Sequence, residues 1–395
     1  MTLEAFKDKR ITFFVPEAPP SFSGAGINAF NFARFISGYA KRTTLCHLNY
    51  NRKQRTAEYH DKLKLVRIAY FNCNLLTKIG SLPNLFFQYL RQVHSSDLIF
   101  VYSGYLIGFQ FIIIIGSLLG KRVIFRSSIM GGDDATSLLK KNFVLHALNK
   151  YTLKHLSLYF AINPEFSRRF KVHFQSNIPI LESCQGVDIT KYHPVDEELK
   201  QNLRLRLELK PADHVLLSVG ILLARKGYES LFKTLALLDM DFIYILLGEY
   251  SPDGIERLNS LERRQMKELH EMGKQLLGEK LIFADTKNSV EVYYQASDIF
   301  VHGAEQEGTP NALLEAMSCG LPCIVKNIEG ISGYLIQHNQ NAYEYNTTED
   351  LCSIISELMK EPEKGKHIAD AASKTISENY TFEKVMVKLF DKING

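Results

Sequence analysis

The chain lacks the cysteine pattern of either a disulfide scaffold or a zinc module. Its six cysteines, at positions 46, 73, 184, 319, 323 and 352, form no paired framework and no ligand spacing, so reduced thiols in a cytoplasmic protein are expected. A signal peptide is also missing from the reading: MTLEAFKDKR is mixed in charge and runs directly into the strand-like ITFFV. No zinc-finger spacing or RNA-binding aromatic signature accompanies the basic residues, which sets nucleic acid aside as a partner. Long apolar runs are scarce. The exception is residues 104–120 (GYLIGFQFIIIIGSLLG), 17 residues without a formal charge, at the lower edge of membrane-spanning length. Its glycines, Gln110 and the strand-like KRVIF that follows predict a buried or interfacial helix between two strands instead.

What is present fits a globular protein of two domains: 395 residues, 46% hydrophobic and 23% charged. The net charge of +4 conceals a division. Residues 1–184 carry 24 Lys/Arg against 10 Asp/Glu, and residues 185–395 carry 23 against 33. A half with a net charge of +14 is suited to an anionic membrane surface or an acidic polymer. The plainer alternative is that these charges solvate two surfaces and steady their mutual packing.

Apolar runs alternate with helical patterns: ITFFV (11–15), a helix from 26 to 40, DLIFVY (97–102) and RVIF (122–125). The second half continues with HVLLSVG (214–220), a helix from Tyr228, FIYILLG (242–248), KLIFA (280–284), DIFVHG (298–303), a helix at 310–319 and PCIV (322–325). Repeated βα units predict parallel sheets covered by helices on both faces. The expected fold is α/β, two Rossmann-like domains facing each other across a cleft. The domains are read as 1–185 and 186–380, with a last helix in 381–395 crossing back to the first; the junction is the turn-rich QGVDITKYHP (185–194).

In such sheets ligands bind where loops leave the carboxyl ends of strands. After the first strand comes PEAPPSFSGAG, where Gly24 and Gly26 let the backbone approach a ligand. After HVLLSVG comes ILLARKG, with Arg225 and Lys226 ready for phosphate. After DIFVHG comes EQEGTPNALLEAMSCGLPC, with Glu307 just before a helix and Glu315 on it. Thr309 is read as the cap, Pro310 as the first helical residue, and Gly320 with Pro322 as the stop. Asn311, Glu315 and Ser318 then share a polar stripe opposite Leu313, Leu314 and Met317. The helix N-terminus attracts phosphate and the flanking carboxylates accept bonds from hydroxyls, which together suit a nucleotide sugar. Taken singly, a Lys-Gly turn or a mid-helix Glu is ordinary surface; convergence on one cleft carries the reading. Asp133 and Asp134, after Gly131–Gly132, are read as a cap or acceptor-side pair and not as a metal site.

The order GAG, QGVDxxxYHP, VGILLARKG and EGTPNALLEAMSCGLPCIV resembles the retaining GT-B glycosyltransferases of family 4, over nearly the whole chain and most strongly over 215–335. The resemblance implies an N-terminal acceptor domain, a C-terminal nucleotide-sugar domain and no metal or other cofactor beyond a UDP- or GDP-linked donor. It implies that Lys226 holds the donor diphosphate with Arg225 beside it, that Glu307 orients the donor sugar, and that Glu315 bonds the ribose. The backbone of Gly308, Thr309, Pro310 and Asn311 would cradle sugar and phosphate, and Gly24 and Gly26 would meet the diphosphate. Three positions depart from the family pattern. Ile221 stands where an arginine is usual, Gln185 where an asparagine is, and RSSIMGGDD carries Arg126, Ser127 and Ser128 where many members have a histidine. Arg126, Ser128, Asp133 and Asp134 are therefore the acceptor-side candidates.

The expected function is transfer of a sugar, with retention, to a glycan or lipid-linked oligosaccharide in capsule, lipopolysaccharide or exopolysaccharide assembly. The expected place is the cytoplasm, at the inner face of the cell membrane, with the basic N-terminal domain in peripheral contact with anionic lipid. The competing readings are a non-catalytic nucleotide-sugar or polysaccharide binder and a nucleotide-sugar epimerase of the same architecture.

Overall fold

The computed structural model describes residues 3–19, 24–49, 57–60, 62–70, 75–174, 178–210, 214–253, 255, 258–285 and 289–394. The chain forms two compact units, Met1–Gly186 together with Phe382–Gly395, and Val187–Thr381.

In the first unit β1 (Arg10–Val15) leads through α1 (Gly24–Ser37) to β2 (Arg42–Asn49), β3 (Ala57–His60) and β4 (Leu63–Ala69). Helix α2 (Leu75–His94) connects to β5 (Leu98–Tyr102), and α3 (Phe109–Leu118) to β6 (Arg122–Arg126). Helices α4 (Ala135–Leu139) and α5 (Phe143–Leu153) connect to β7 (Leu158–Ala161), and α6 (Pro164–His173) to β8 (Ile180–Glu182). The sheet order is β3-β4-β2-β1-β5-β6-β7-β8, parallel except for the antiparallel edge strand β3. Every residue of β5 (LIFVY) is buried, as expected where helices cover both faces of a parallel strand. The steps from β4 through β8 run one way across the sheet, so right-handed crossovers put α2, α3 and α5 side by side on one face. The step from β1 to β2 runs the other way and puts α1 on the opposite face.

In the second unit come α7 (Glu197–Arg206), β9 (Val215–Val219), α8 (Tyr228–Leu235), β10 (Ile243–Leu247) and α9 (Ser260–Leu277). Then follow β11 (Leu281–Ala284), α10 (Val290–Ala296), β12 (Ile299–His302), α11 (Asn311–Ser318), β13 (Cys323–Lys326) and β14 (Tyr343–Tyr345). Helices α12 (Thr348–Lys360) and α13 (Pro362–Asn379) close it. All six strands are parallel, in the order β11-β10-β9-β12-β13-β14. The chain steps outward from β9 to β10 and β11, then returns to the other side of β9 with β12. Between β9 and β12 the winding reverses, and loops leaving these two strands diverge around a crevice. Asp298, at the start of β12, accepts from Lys200 Nζ at 2.6 Å and from the Val215 N–H at 2.8 Å, anchoring α7 and β9 to the same strand.

The last helix, α14 (Phe382–Asn394), packs within the first unit: Phe382 lies 5.4 Å from Phe32 and 5.6 Å from Phe35, and Phe390 5.0 Å from Phe6. Two sequence expectations are corrected, the start of the helix in 104–120 and the place of Pro310. The apolar run at 104–120 is helical only from Phe109, because Gly108 sits at φ 76° and starts the helix there. Among the described residues no helix is long and apolar enough to cross a membrane. Pro310 is the N-cap of α11, not its first helical residue, and no side chain caps that end.

Candidate active site

Lys226 ends a short 3-10 turn (Ala224–Lys226) in the loop after β9, and Glu307 lies in the loop after β12. The two loops touch through glycine. Gly227 has φ 73°, and a Cβ there would lie 2.0 Å from the Gly303 carbonyl oxygen. No side chain fits this conformation or this spacing, so glycine at 227 is what lets the loops meet. Their contact sets the Lys226 ammonium against the Glu307 carboxylate in an ion pair, with Arg225 Nη1 3.4 Å from the same oxygen. Burial alone would raise the Glu307 pKa; Lys226, His302 and Arg225 outweigh it and hold the group below the ordinary carboxylate value. Glu307 is thus an anion stored among cations.

His302, the last residue of β12, is 5% exposed and interacts electrostatically with this pair. Burial and then Lys226 depress its pKa to about 4, so the ring is neutral at pH 7, and among the described residues its Nε2 has no hydrogen-bond partner. Sequence reasoning missed His302; the signal was a histidine closing an otherwise apolar strand at the carboxyl edge of the sheet. Ile221, where an arginine was looked for, is 5% exposed within the unit's apolar core. The cations found near Glu307 are therefore Lys226 and Arg225.

Glu315 stands mid-way along α11 and accepts from the Tyr294 hydroxyl at 2.8 Å. Tyr192, edge-on to Tyr294 at 5.7 Å, also bonds the carboxylate. Burial raises its pKa to about 7, against the pull of Tyr294, Lys191 and Tyr192. Neither tyrosine was foreseen: they come from the segment after Gln185 and from α10, more than a hundred residues apart. Ser318 fixes that arrangement by donating to the Tyr192 carbonyl at 2.6 Å. Gly308 and Thr309 are buried ahead of the helix and Asn311 is half-buried at its first position.

In the first unit Gly24 and Gly26 form the first turn of α1 and not a free loop; residues 20–23 of that predicted loop lie outside the described residues. Arg126 ends β6, buried, bonding the Gln185 side chain and lying 4.7 Å above the Tyr102 ring. Burial lowers its pKa. Asp133 is fully buried and accepts from the N–H groups of Gly104 (3.0 Å), Ser128 (2.8 Å) and Ile129 (2.8 Å) and from the Ser128 hydroxyl (2.9 Å). Asp134 caps α4 through Ser137 and accepts from the Gly131 N–H at 2.7 Å. These two carboxylates hold the loop after β6 in shape. Ser103, after β5, has φ 78°, an uncommon conformation for a non-glycine residue, at the same carboxyl edge. Among the described residues no group of three or more His, Cys, Asp or Glu could hold a metal ion.

Comparison with known proteins gives this geometry a family context. Residues 200–375 match the family model of glycosyl transferases group 1. An uncharacterized glycosyltransferase of Haemophilus influenzae is 29% identical over 192 residues, 48% of this chain and 50% of that protein. The UDP-Gal:alpha-D-GlcNAc-diphosphoundecaprenol alpha-1,3-galactosyltransferase of Escherichia coli is 31% identical over 169 residues, 39% and 40% of the two chains. The matches span about half the length of these curated relatives. The Anabaena protein HepE, solved in complex with UDP and glucose, superposes with a TM-score of 0.74 at 17% identity, covering 98% of this chain and 99% of that one. That likeness establishes the fold as the two-domain GT-B arrangement of parallel-sheet α/β units. The match over residues 200–375 makes that segment similar to glycosyl transferases group 1, and the structural likeness shows the fold alone.

Proposed function

We propose that this protein transfers a sugar from a UDP- or GDP-linked donor to a glycan or lipid-linked oligosaccharide, with retention of anomeric configuration, in cell-surface polysaccharide assembly at the cytoplasmic face of the membrane. The observation that carries the proposal is the Lys226–Glu307 ion pair, with Glu307 eight positions before Glu315 in the chain, at the point where the second sheet reverses its winding. Glu307 serves Lys226 as its counterion. A donor diphosphate takes over Lys226 and Arg225, and frees Glu307 to accept bonds from sugar hydroxyls. Glu315 receives the ribose hydroxyls, and the backbone of Gly308 through Asn311 cradles the phosphates at the helix N-terminus.

The bond between the anomeric carbon and the leaving phosphate oxygen breaks, and its electron pair goes to the diphosphate. Lys226, Arg225 and the N–H groups ahead of α11 stabilise that charge; each such contact is worth about 2.7–4 kcal/mol of barrier. The acceptor oxygen bonds the same face of the sugar, and its proton passes to a donor phosphate oxygen. Glu307 steadies the positive charge on the ring without becoming a covalent nucleophile. Transfer is metal-independent in this reading. Arg126 and Ser128 meet the acceptor, and Asp133 and Asp134 shape the loop that presents them. The lipid diphosphate acceptor named for the Escherichia coli relative supports a lipid-linked acceptor.

A panel of UDP-, GDP- and ADP-sugars tests the proposal, first by thermal protection and then by nucleoside diphosphate release with EDTA present. Glu307→Gln should abolish release while nucleotide protection stays within about twofold in affinity. Protection without release from any acceptor mixture indicates a binder, and interconversion of free nucleotide sugars an epimerase. Full turnover in Glu307→Gln removes the assigned role.

A further inference from the structure

Arg126 and Arg204 are equally buried, each 3% exposed, but only one of them has its charge answered. Arg204 donates from Nε to the Ala296 carbonyl at 3.0 Å and from Nη2 to the Asp298 carboxylate at 2.5 Å. Arg126 bonds the neutral Gln185 side chain through Nη2, while its Nε and Nη1 have no hydrogen-bond partner among the described residues. A guanidinium keeps its proton inside proteins, so three N–H donors and a full positive charge stand unanswered there. Asp133 acts on Arg126 electrostatically, but its two oxygens are taken by the N–H groups of Gly104, Ser128 and Ile129 and by the Ser128 hydroxyl. The face of the Tyr102 ring, 4.7 Å from the guanidinium carbon, supplies a cation–π contact. The hydroxyl of that same tyrosine also lacks a partner among the described residues.

The backbone holds these two side chains together at the edge of the sheet where ligands bind. Tyr102 closes β5 and Arg126 closes β6, the two are register partners, and the Ser103 N–H donates to the Arg126 carbonyl at 2.9 Å. Packing gives no reason for a cation at this point. A buried charge without a partner is penalised by more than one ring face returns, and an apolar side chain would complete the core without that penalty. Unanswered N–H donors call for an acceptor, and the charge selects an anionic one. The planar guanidinium matches the paired oxygens of phosphate and carboxylate, and the Tyr102 hydroxyl adds one more donor. We propose that Arg126 and Tyr102 form a receptor for an oxyanion, phosphate or carboxylate, in the first unit, and that the oxyanion belongs to the acceptor. The acceptor is then an acidic sugar or a sugar phosphate, not a neutral glycan. Assigning the oxyanion to the acceptor rests on the proposed transfer; the receptor itself does not.

Thermal unfolding of the full chain against inorganic phosphate and against glucuronate tests the receptor, with ionic strength held constant by sodium chloride and glucose as the neutral control. One or both oxyanions should raise the midpoint saturably, and glucose should not. Phosphate also meets Lys226, so the titration is repeated in Lys226→Met, where the receptor's share should persist. In that background Arg126→Met should weaken oxyanion binding at least about thirtyfold. Tyr102→Phe, which keeps the ring beneath the guanidinium, should weaken it about tenfold. Without oxyanion the midpoint should hold or rise in both variants, because an uncompensated charge and an unpartnered hydroxyl have been removed. An arginine that only braces Gln185 would give the opposite pattern, a lower midpoint with oxyanion protection kept, and that result overturns the receptor. Protection missing from Lys226→Met, or unchanged by both Arg126→Met and Tyr102→Phe, overturns it as well. In transfer assays Arg126→Met should raise KM for acidic acceptors at least about thirtyfold and leave protection by nucleotide sugar unchanged. Turnover of neutral acceptors in preference to acidic ones removes the assignment to the acceptor. Oxyanion protection that depends on Arg126, with no nucleoside diphosphate released from any donor, would keep the receptor and defeat the transfer reading alone.

Discussion

Glu315 gives the protein a pH dependence that one substitution isolates. Burial raises its pKa from 4.5 to about 7, with the Tyr294 hydroxyl, Lys191 and Tyr192 opposing that rise. Between those two values the folded chain keeps a proton that the unfolded chain has released. Stability therefore falls as pH rises through the window, by about 1.4 kcal/mol per pKa unit and about 3 kcal/mol in all. His47 and His302 act in the opposite sense: burial depresses both to about 4, so the stability they leave intact above pH 6.5 is lost as pH falls below it. Wild-type unfolding blends these slopes, but the difference between wild type and Glu315→Gln cancels the histidines. Glutamine keeps the size and one acceptor for the Tyr294 hydroxyl and does not titrate. From about pH 5 to about pH 8 the variant should gain about 3 kcal/mol relative to wild type. Urea unfolding followed by far-ultraviolet circular dichroism at several pH values measures this. A difference that stays flat to within about 1 kcal/mol refutes the buried, proton-holding carboxylate. In the proposed complex ribose hydroxyls donate to the ionised form, so nucleotide-sugar affinity should rise with pH over the same window in wild type and not in the variant.

Other substitutions probe the framework. Gly227→Ala combines φ 73° with a Cβ placed 2.0 Å from the Gly303 carbonyl, and should cost about 3 kcal/mol or more by thermal unfolding and loosen the Lys226–Glu307 pair. Asp133→Asn offers one acceptor oxygen where four donors converge, with an expected loss of about 3 kcal/mol and nucleotide-sugar protection unchanged. His302→Leu removes a neutral buried imidazole, so the loss of stability on acidification below about pH 6.5 should shrink by about 3 kcal/mol; an unchanged acid limb in urea titrations would place the titration elsewhere.

The alternation of strands and helices was legible because parallel strands covered on both faces read as short apolar runs, as in LIFVY and VLLSV. Strands β2 and β4 escaped that reading. They carry Thr43, Thr44, Lys64 and Arg67, and only pairing along β1 and along each other makes them strands. The helix after Glu307 was readable from its glycine and proline punctuation, although Pro310 proved to cap it. The run at 104–120 advertised its apolar content but not its start, which a left-handed glycine decided.

By itself the sequence determined the βα alternation, the charge division, and the residue types proposed to meet phosphate and hydroxyls: Lys226, Glu307 and Glu315. Those properties are local, set by side-chain chemistry and by periodicity over a few residues. Only the tertiary structure decided which of them meet. Lys226 and Glu307 lie 81 positions apart, and they pair because β12 returns to lie beside β9 and because two glycines let the following loops touch. The same long-range packing closed His302, Tyr192 and Tyr294 around the carboxylates and shifted their protonation, since burial and neighbouring charge exist only once the chain is folded.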